Sequence, residues 1–147
     1  MARIARVVIP NYPHHITQRG SRRQQTFFYP TDYQFYIDLC SEYAKKYGVK
    51  IWAYCLMPNH VHLVAVPDNE KSFDQCFSRV HRTYACHVNQ RNGWQGHLWQ
   101  ERFFSCVMDE NHLLATVRYI ELNPLRAKLC DSPIDWPWSS PHFSRRP

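Results

Sequence analysis

No two cysteines in this 147-residue chain stand at CxxC spacing, and no apolar run is long enough to span a bilayer. No internal repeat, low-complexity tract or linker interrupts the sequence. Each absence excludes a class. Without paired cysteines, Cys40, Cys55, Cys76, Cys86, Cys106 and Cys130 form no zinc-binding pattern. They read instead as reduced, mostly buried small hydrophobes. The opening segment MARIARVVIP lacks a long apolar core and a cleavage site, so no signal peptide is expected and the location read from it is cytoplasmic. No membrane association and no small-molecule cofactor are expected. Acids are also scarce, 12 against 18 Lys and Arg, and the resulting formal charge of +6 favours a polyanionic partner, most commonly nucleic acid. What is present excludes disorder: hydrophobic residues make up 44% and aromatics 15%. This length fits one domain over residues 1–147 with a core of its own.

Periodicity predicts the element order. A strand is expected from about Tyr12 to Gln18, followed by a basic polar loop, Arg19 to Gln25. A helix begins near Thr31, with Gln34 at capping-box spacing, carries Phe35, Leu39, Tyr43 and Tyr47 on one side, and stops at Gly48. Val49 to Met57 is apolar on both faces, as in a buried strand. Pro58-Asn59 breaks it, and His60 to Val66 completes a hairpin. A second helix runs from Ser72, with Gln75 as its capping partner, to about Asn92-Gly93. His97 to Met108 reads as a strand or a bent strand pair. A third helix runs from about Asp109 to Asn123, closed by Pro124. Pattern does not fold the tail. The order β-α-β-β-α-β matches an α+β, ferredoxin-like antiparallel sheet with one added C-terminal helix, and in that topology the His60–Val66 strand lies inside the sheet.

Two places carry chemistry. On a strand, His60 and His62 project from one face and Val61, Leu63 and Ala65 from the other. Two imidazoles one repeat apart can grip one divalent ion. A bare His-x-His is common, however, and more often structural than ligating. The third helix adds weight. At 100° per residue, Leu113, Leu114, Val117 and Ile120 cluster on one side, and His112, Thr116, Tyr119 and Asn123 nearly opposite. Tyr119 thus lies off the apolar stripe, and Asn123 follows it by one turn on the same face.

These residues carry a resemblance. The chain resembles the single-tyrosine HUH (His-hydrophobe-His) transposases, the insertion-sequence 200-like group, and within them is similar to the REP-associated tyrosine transposases. The matching stretches are HHITQRGSRRQ, YCLMPNHVHLV, GHLWQERFFSCVMDE, RYIELNPLRAKLC and WPWSS, which together cover essentially residues 1–140. The resemblance implies that His60 and His62 hold a divalent ion, Mg²⁺ or Mn²⁺, and that Tyr119 is the catalytic tyrosine. Asn123 falls where a polar third ligand sits in related enzymes. Leu125 and Lys128 replace the Val and Gly usual in the family's NPVRAGL stretch, past the catalytic positions.

The implied reaction is attack of the tyrosine on a DNA phosphodiester to give a covalent 5′-phosphotyrosine, reversible enough to rejoin a new 3′ end without ATP. The implied partner is single-stranded or hairpin DNA of the REP type, with a short tetranucleotide beside the hairpin foot. Candidate phosphate contacts are Arg19, Arg22, Arg23, Arg126, Lys128, Arg145 and Arg146. Phe27, Phe28 and Tyr29 are candidates to stack on unpaired bases, with a core role for two of the three equally compatible. The alternative is a hairpin-DNA-binding protein on the same fold that does not cleave. Monomer and homodimer both remain open, as does the identity of a general base.

Overall fold

The computed structural model describes residues 6–140. Arg145 and Arg146 lie outside the described residues. The elements are β1 (His14–Arg19), α1 (Pro30–Tyr47), β2 (Val49–Met57), β3 (His60–Pro67), α2 (Ser72–Asn92), β4 (Phe104–Val107) and α3 (Glu110–Arg126). The sheet order is β2-β3-β1-β4, and every neighbouring pair is antiparallel. This is the expected ferredoxin-like topology, with β3 an inner strand.

Burial on both faces explains the sheet's composition. Val61, Leu63 and Ala65 of β3 join Ile16, Leu56 and the apolar stripes of α1 and α2 in one core. Val64, with Ala53, Cys55 and Met57 of β2, faces the other way and packs under Ile120 of α3. A strand covered on both sides loses the polar alternation of a half-exposed one. The larger core is aromatic, with Phe27 stacked on Tyr33 at 4.5 Å. Two of its polar tips find partners: the Tyr84 hydroxyl donates to the Thr26 carbonyl at 2.5 Å, and Tyr36 pairs with His81 Nε2 at 2.7 Å. Of the three aromatics at 27–29, Phe27 is core, Phe28 half-buried and Tyr29 exposed.

Several boundaries differ from expectation. β1 is shifted two residues along, from Tyr12 to His14, because its ends are set by pairing with β3 and β4. α1 starts at Pro30 rather than Thr31. Asp32, not Gln34, caps it, taking the Phe28 and Tyr29 N–H groups on one carboxylate oxygen. Ser72 is already helical, and its hydroxyl accepts from Asn69 N–H instead of forming a box with Gln75. Gly48 ends α1 as expected, at φ 73; a side chain there would also strike the Asp68 carboxylate, 2.6 Å from the added carbon. Only Phe104–Val107 of the predicted 97–108 strand pairs in the sheet; Trp99 adds a single bridge to Gly20. α3 does not stop at Asn123. It runs through Pro124 to Arg126, because a proline in the last turn removes one hydrogen bond while its buried ring still packs.

The tail that pattern could not fold covers the β2 edge. Leu56 N–H donates to Trp138 O at 2.8 Å, Trp136 Nε1 donates to Leu56 O at 2.9 Å, and Tyr54 N–H donates to Ser140 Oγ at 3.1 Å. An edge strand is thereby closed to other chains. Among the described residues, no helix is long and apolar enough to cross a membrane.

Candidate active site

β3 alternation puts His60 and His62 on the α3 face, their rings perpendicular with centroids 5.0 Å apart. Register fixes their neighbours. Arg19 and Thr17 of β1 stand opposite His60 and His62, and Met57 and Cys55 of β2 flank them on the other side. α3 lies across this face. Its buried stripe is Thr116, Ile120 and Pro124, with Leu113 and Val117 partly covered. This corrects the face expected from periodicity. Leu114, placed on the apolar side, is 65% exposed, whereas Thr116, placed opposite, is buried. The helix is rotated because it settles on the surface that β2 and β3 offer. Tyr119, beside Ile120, therefore sits at the helix flank. Its ring is half-exposed and meets His62 edge-on at 5.8 Å. The Arg126 guanidinium lies 5.3 Å from the centre of the same ring.

Neighbours orient each histidine. His60 Nδ1 stands 2.7 Å from Asn59 Oδ1. A carbonyl oxygen only accepts, so the ring proton is on Nδ1 and the Nε2 lone pair is free. His62 Nδ1 stands 3.1 Å from Nε2 of His15, whose ring stacks on it at 5.3 Å. Burial pushes the His62 imidazolium down to about 3, and His60, His15 and Arg19 add to the shift. Burial and then Arg19 lower His60 too. Both rings are neutral at neutral pH, the form that binds metal.

Among the described residues, no three His, Cys, Asp or Glu side chains share a position that could hold a metal ion. Any third protein ligand beside His60 and His62 would be of another kind. Asn123 fits: its Nδ2 is buried without a partner, and the 180° amide flip would put a carbonyl oxygen there. Two free imidazole lone pairs and one amide suit a divalent ion and leave positions open for phosphate oxygens.

The basic residues divide. Arg19 and Arg23 line a cavity of about 290 Å³ together with Asn59 and His60. Arg22 lies on the same loop, outside that lining, and Arg126 is at Tyr119. Lys128 sits beyond α3, exposed, with φ 59. Two residues at the site were not selected by sequence reasoning. Local pattern gives His15 no role and takes Asn59 only as part of the break between two strands. Asn59 could have been read from its place next to His60. His15 gave no such signal, since only the β1–β3 register brings it to His62.

Comparison with known proteins bears on the family and the fold. The profile of the family described as "Transposase IS200 like" matches residues 9–123. A Haemophilus influenzae protein assigned to the REP-associated tyrosine transposases is 24% identical over 132 residues, covering 82% of this chain and 75% of that protein. The structure of a REP-associated tyrosine transposase bound to a REP hairpin superposes with a TM-score of 0.74 at 24% identity, covering 99% of this chain and 87% of that one. A Deinococcus radiodurans protein assigned as a transposase superposes at 0.55 with 20% identity, covering 82% and 96%. Profile and fold coincide over most of the length, and the chain belongs to the IS200-like transposase family, enzymes that cleave DNA and transfer its strands.

Proposed function

We propose that this chain, acting as one domain over residues 1–147, is a divalent-metal-dependent single-stranded DNA endonuclease and strand transferase specific for REP-type hairpins. The supporting observation is the meeting of Tyr119 on α3 with His62 on β3. A half-exposed phenol stands beside the neutral His62 imidazole, which His60 adjoins at 5.0 Å. REP specificity is inferred from the relatives, one of which binds a REP hairpin.

In this reading the Tyr119 oxygen attacks phosphorus, the bond from phosphorus to the 3′ oxygen breaks, and the 3′-hydroxyl leaves. The 5′ phosphate stays on the tyrosine, and attack by another 3′-hydroxyl reverses the step. His60 and His62, with Asn123, would hold Mg²⁺ or Mn²⁺, which polarises the scissile phosphate and steadies the departing oxygen. Asn59 and His15 keep the two imidazoles aimed. Arg19 and Arg23 take phosphate at the His60 cavity, and Arg126 steadies Tyr119 from the ring face. Arg22, Lys128, Arg145 and Arg146 contribute charge along the DNA.

A 3′-labelled strand tests this, offered as hairpin and as annealed duplex with Mn²⁺. The expected result is a denaturation-resistant protein–DNA adduct from the hairpin strand, abolished by EDTA and by Tyr119→Phe, with the duplex uncut. An adduct that survives Tyr119→Phe, or equal cutting of duplex, would overturn the proposal.

A further inference from the structure

Topology gathers a set of residues at one end of the sheet. The C-terminus of β1, the β2–β3 turn, the N-terminus of α1 and the C-terminus of α2 all lie there. His60 opens onto this end, and so does the cavity lined by Arg19 and Arg23. The loop over 20–28 runs outward from that cavity toward α1. Its backbone is stitched down: Gly20 N–H donates to Asn59 O and Ser21 N–H to Leu98 O, both at 2.8 Å, and Thr26 and Phe27 N–H share Pro58 O at 2.8 and 3.1 Å. The Gln24 amide reaches the His97 and Leu98 carbonyls at 3.3 and 3.1 Å.

Within this rigid loop, Arg22 and Arg23 both adopt left-handed backbone conformations, φ 54 and 60. That geometry is unfavourable for a side-chain-bearing residue and persists only where the surroundings enforce it. Neither guanidinium forms an ion pair with a described residue. Residues 19–29 contain three arginines and no acid. At the far end of the loop stand Tyr29, 57% exposed, and Trp94, 44% exposed. Both rings are held in place. Trp94 meets Phe28 at 5.7 Å, and Tyr29 is backed on one face by Arg91 at 4.9 Å, itself clamped to the buried Asp32 carboxylate by two bonds of 2.5 and 3.0 Å. Fixed aromatic faces open to solvent beside unpaired arginines suit an alternation of base and phosphate.

We propose that this rim is a track for the unpaired DNA flanking the hairpin, leading from the His60 cavity past Arg22 and Arg23 to stacking faces on Trp94 and Tyr29. The inference rests on the reading of the chain as an enzyme for single-stranded hairpin DNA. It adds where the strand runs and which rings take its bases. A folded protein partner would not match a ladder of ring faces and cations, whereas a flexible polyanion with a π-face on every unit does.

Binding to three labelled DNAs tests the track: a blunt hairpin, and the same hairpin extended by a few unpaired nucleotides on its 5′ or its 3′ side. Trp94→Ala and Tyr29→Ala should each weaken one extended hairpin by about tenfold, and leave the blunt hairpin within about twofold. Trp94→Phe keeps a ring and should retain most of the affinity. It also serves if the alanine variant unfolds, which a thermal melt reveals. The joint Arg22→Ala, Arg23→Ala variant should flatten the salt slope on that same extension by about 1.4, two single-strand phosphates' worth. Equal losses on blunt and extended hairpins, or no loss on either extension, would overturn the track. A wild-type protein that prefers the extension yet forms no adduct would overturn the proposed chemistry and leave the track standing.

Discussion

His15→Ala should lower divalent-metal affinity without touching any ligand. In the structure, His15 Nε2 stands 3.1 Å from His62 Nδ1, and the two rings stack. That contact selects one tautomer and one ring orientation of His62. Two tautomers times two ring flips give four arrangements, so losing the selection costs about RT ln 4, or about 0.8 kcal/mol, a fourfold weaker site. Loss of the basicity that a hydrogen-bonded imidazole gains should carry the total to about ten- to hundredfold, the usual range for such outer partners. The assay is Mn²⁺ titration followed by the electron paramagnetic resonance of the free ion, run beside cleavage at rising Mn²⁺. We expect cleavage to recover at high Mn²⁺, and His15→Gln, which keeps an acceptor, to fall between wild type and alanine. Unchanged Mn²⁺ affinity in a folded His15→Ala protein would refute the reasoning. So would a cleavage defect that ignores metal concentration.

Tyr119→Phe should leave the melting temperature within a few degrees and hairpin affinity within about twofold, because the ring keeps its contacts with His62 and Arg126 and only a hydroxyl is removed; melting curves and binding isotherms check this. Asn123→Ala should reduce cleavage less than His60→Ala or His62→Ala and be partly rescued by Mn²⁺, as a weaker third ligand would be; rates measured across a metal series decide it. Stability should fall on acidification from about pH 6.5 toward 3. His62 and His81 are both pushed to about 3 chiefly by burial, so they are neutral when folded and take up protons only on unfolding. Each adds a slope of about 1.4 kcal/mol per pH unit in that window, on top of what the other lowered histidines contribute, and His81→Phe should reduce the slope by about that amount in denaturant titrations at several pH values.

Much of this protein was legible before any coordinates. The alternation in HVHLVAV sets His60 and His62 on one side of a strand whatever that strand pairs with, because a strand has period two. The element order and the apolar character of Val49–Met57 point to a sheet buried on both faces, which holds from Ala53 onward, while Lys50 and Trp52 stay exposed. Motif resemblance pointed to the transposase family, which the family profile matches over residues 9–123. Local pattern failed where an outcome depends on partners distant in sequence. α3 turned its Thr116 inward and its Leu114 outward to match the β2–β3 surface, which periodicity within the helix does not encode. Pro124 was absorbed rather than ending the helix, since a buried contact outweighed one lost hydrogen bond. The tail found its fold only on the β2 edge, whose unpaired backbone groups attracted Trp136 to Ser140. His15 reached His62, and Arg23 reached His60, through sheet register and loop closure alone. Local sequence sets which side of an element a residue takes, since that follows from bond geometry. Only the tertiary structure decides what stands opposite, because packing and register are settled by the whole chain at once.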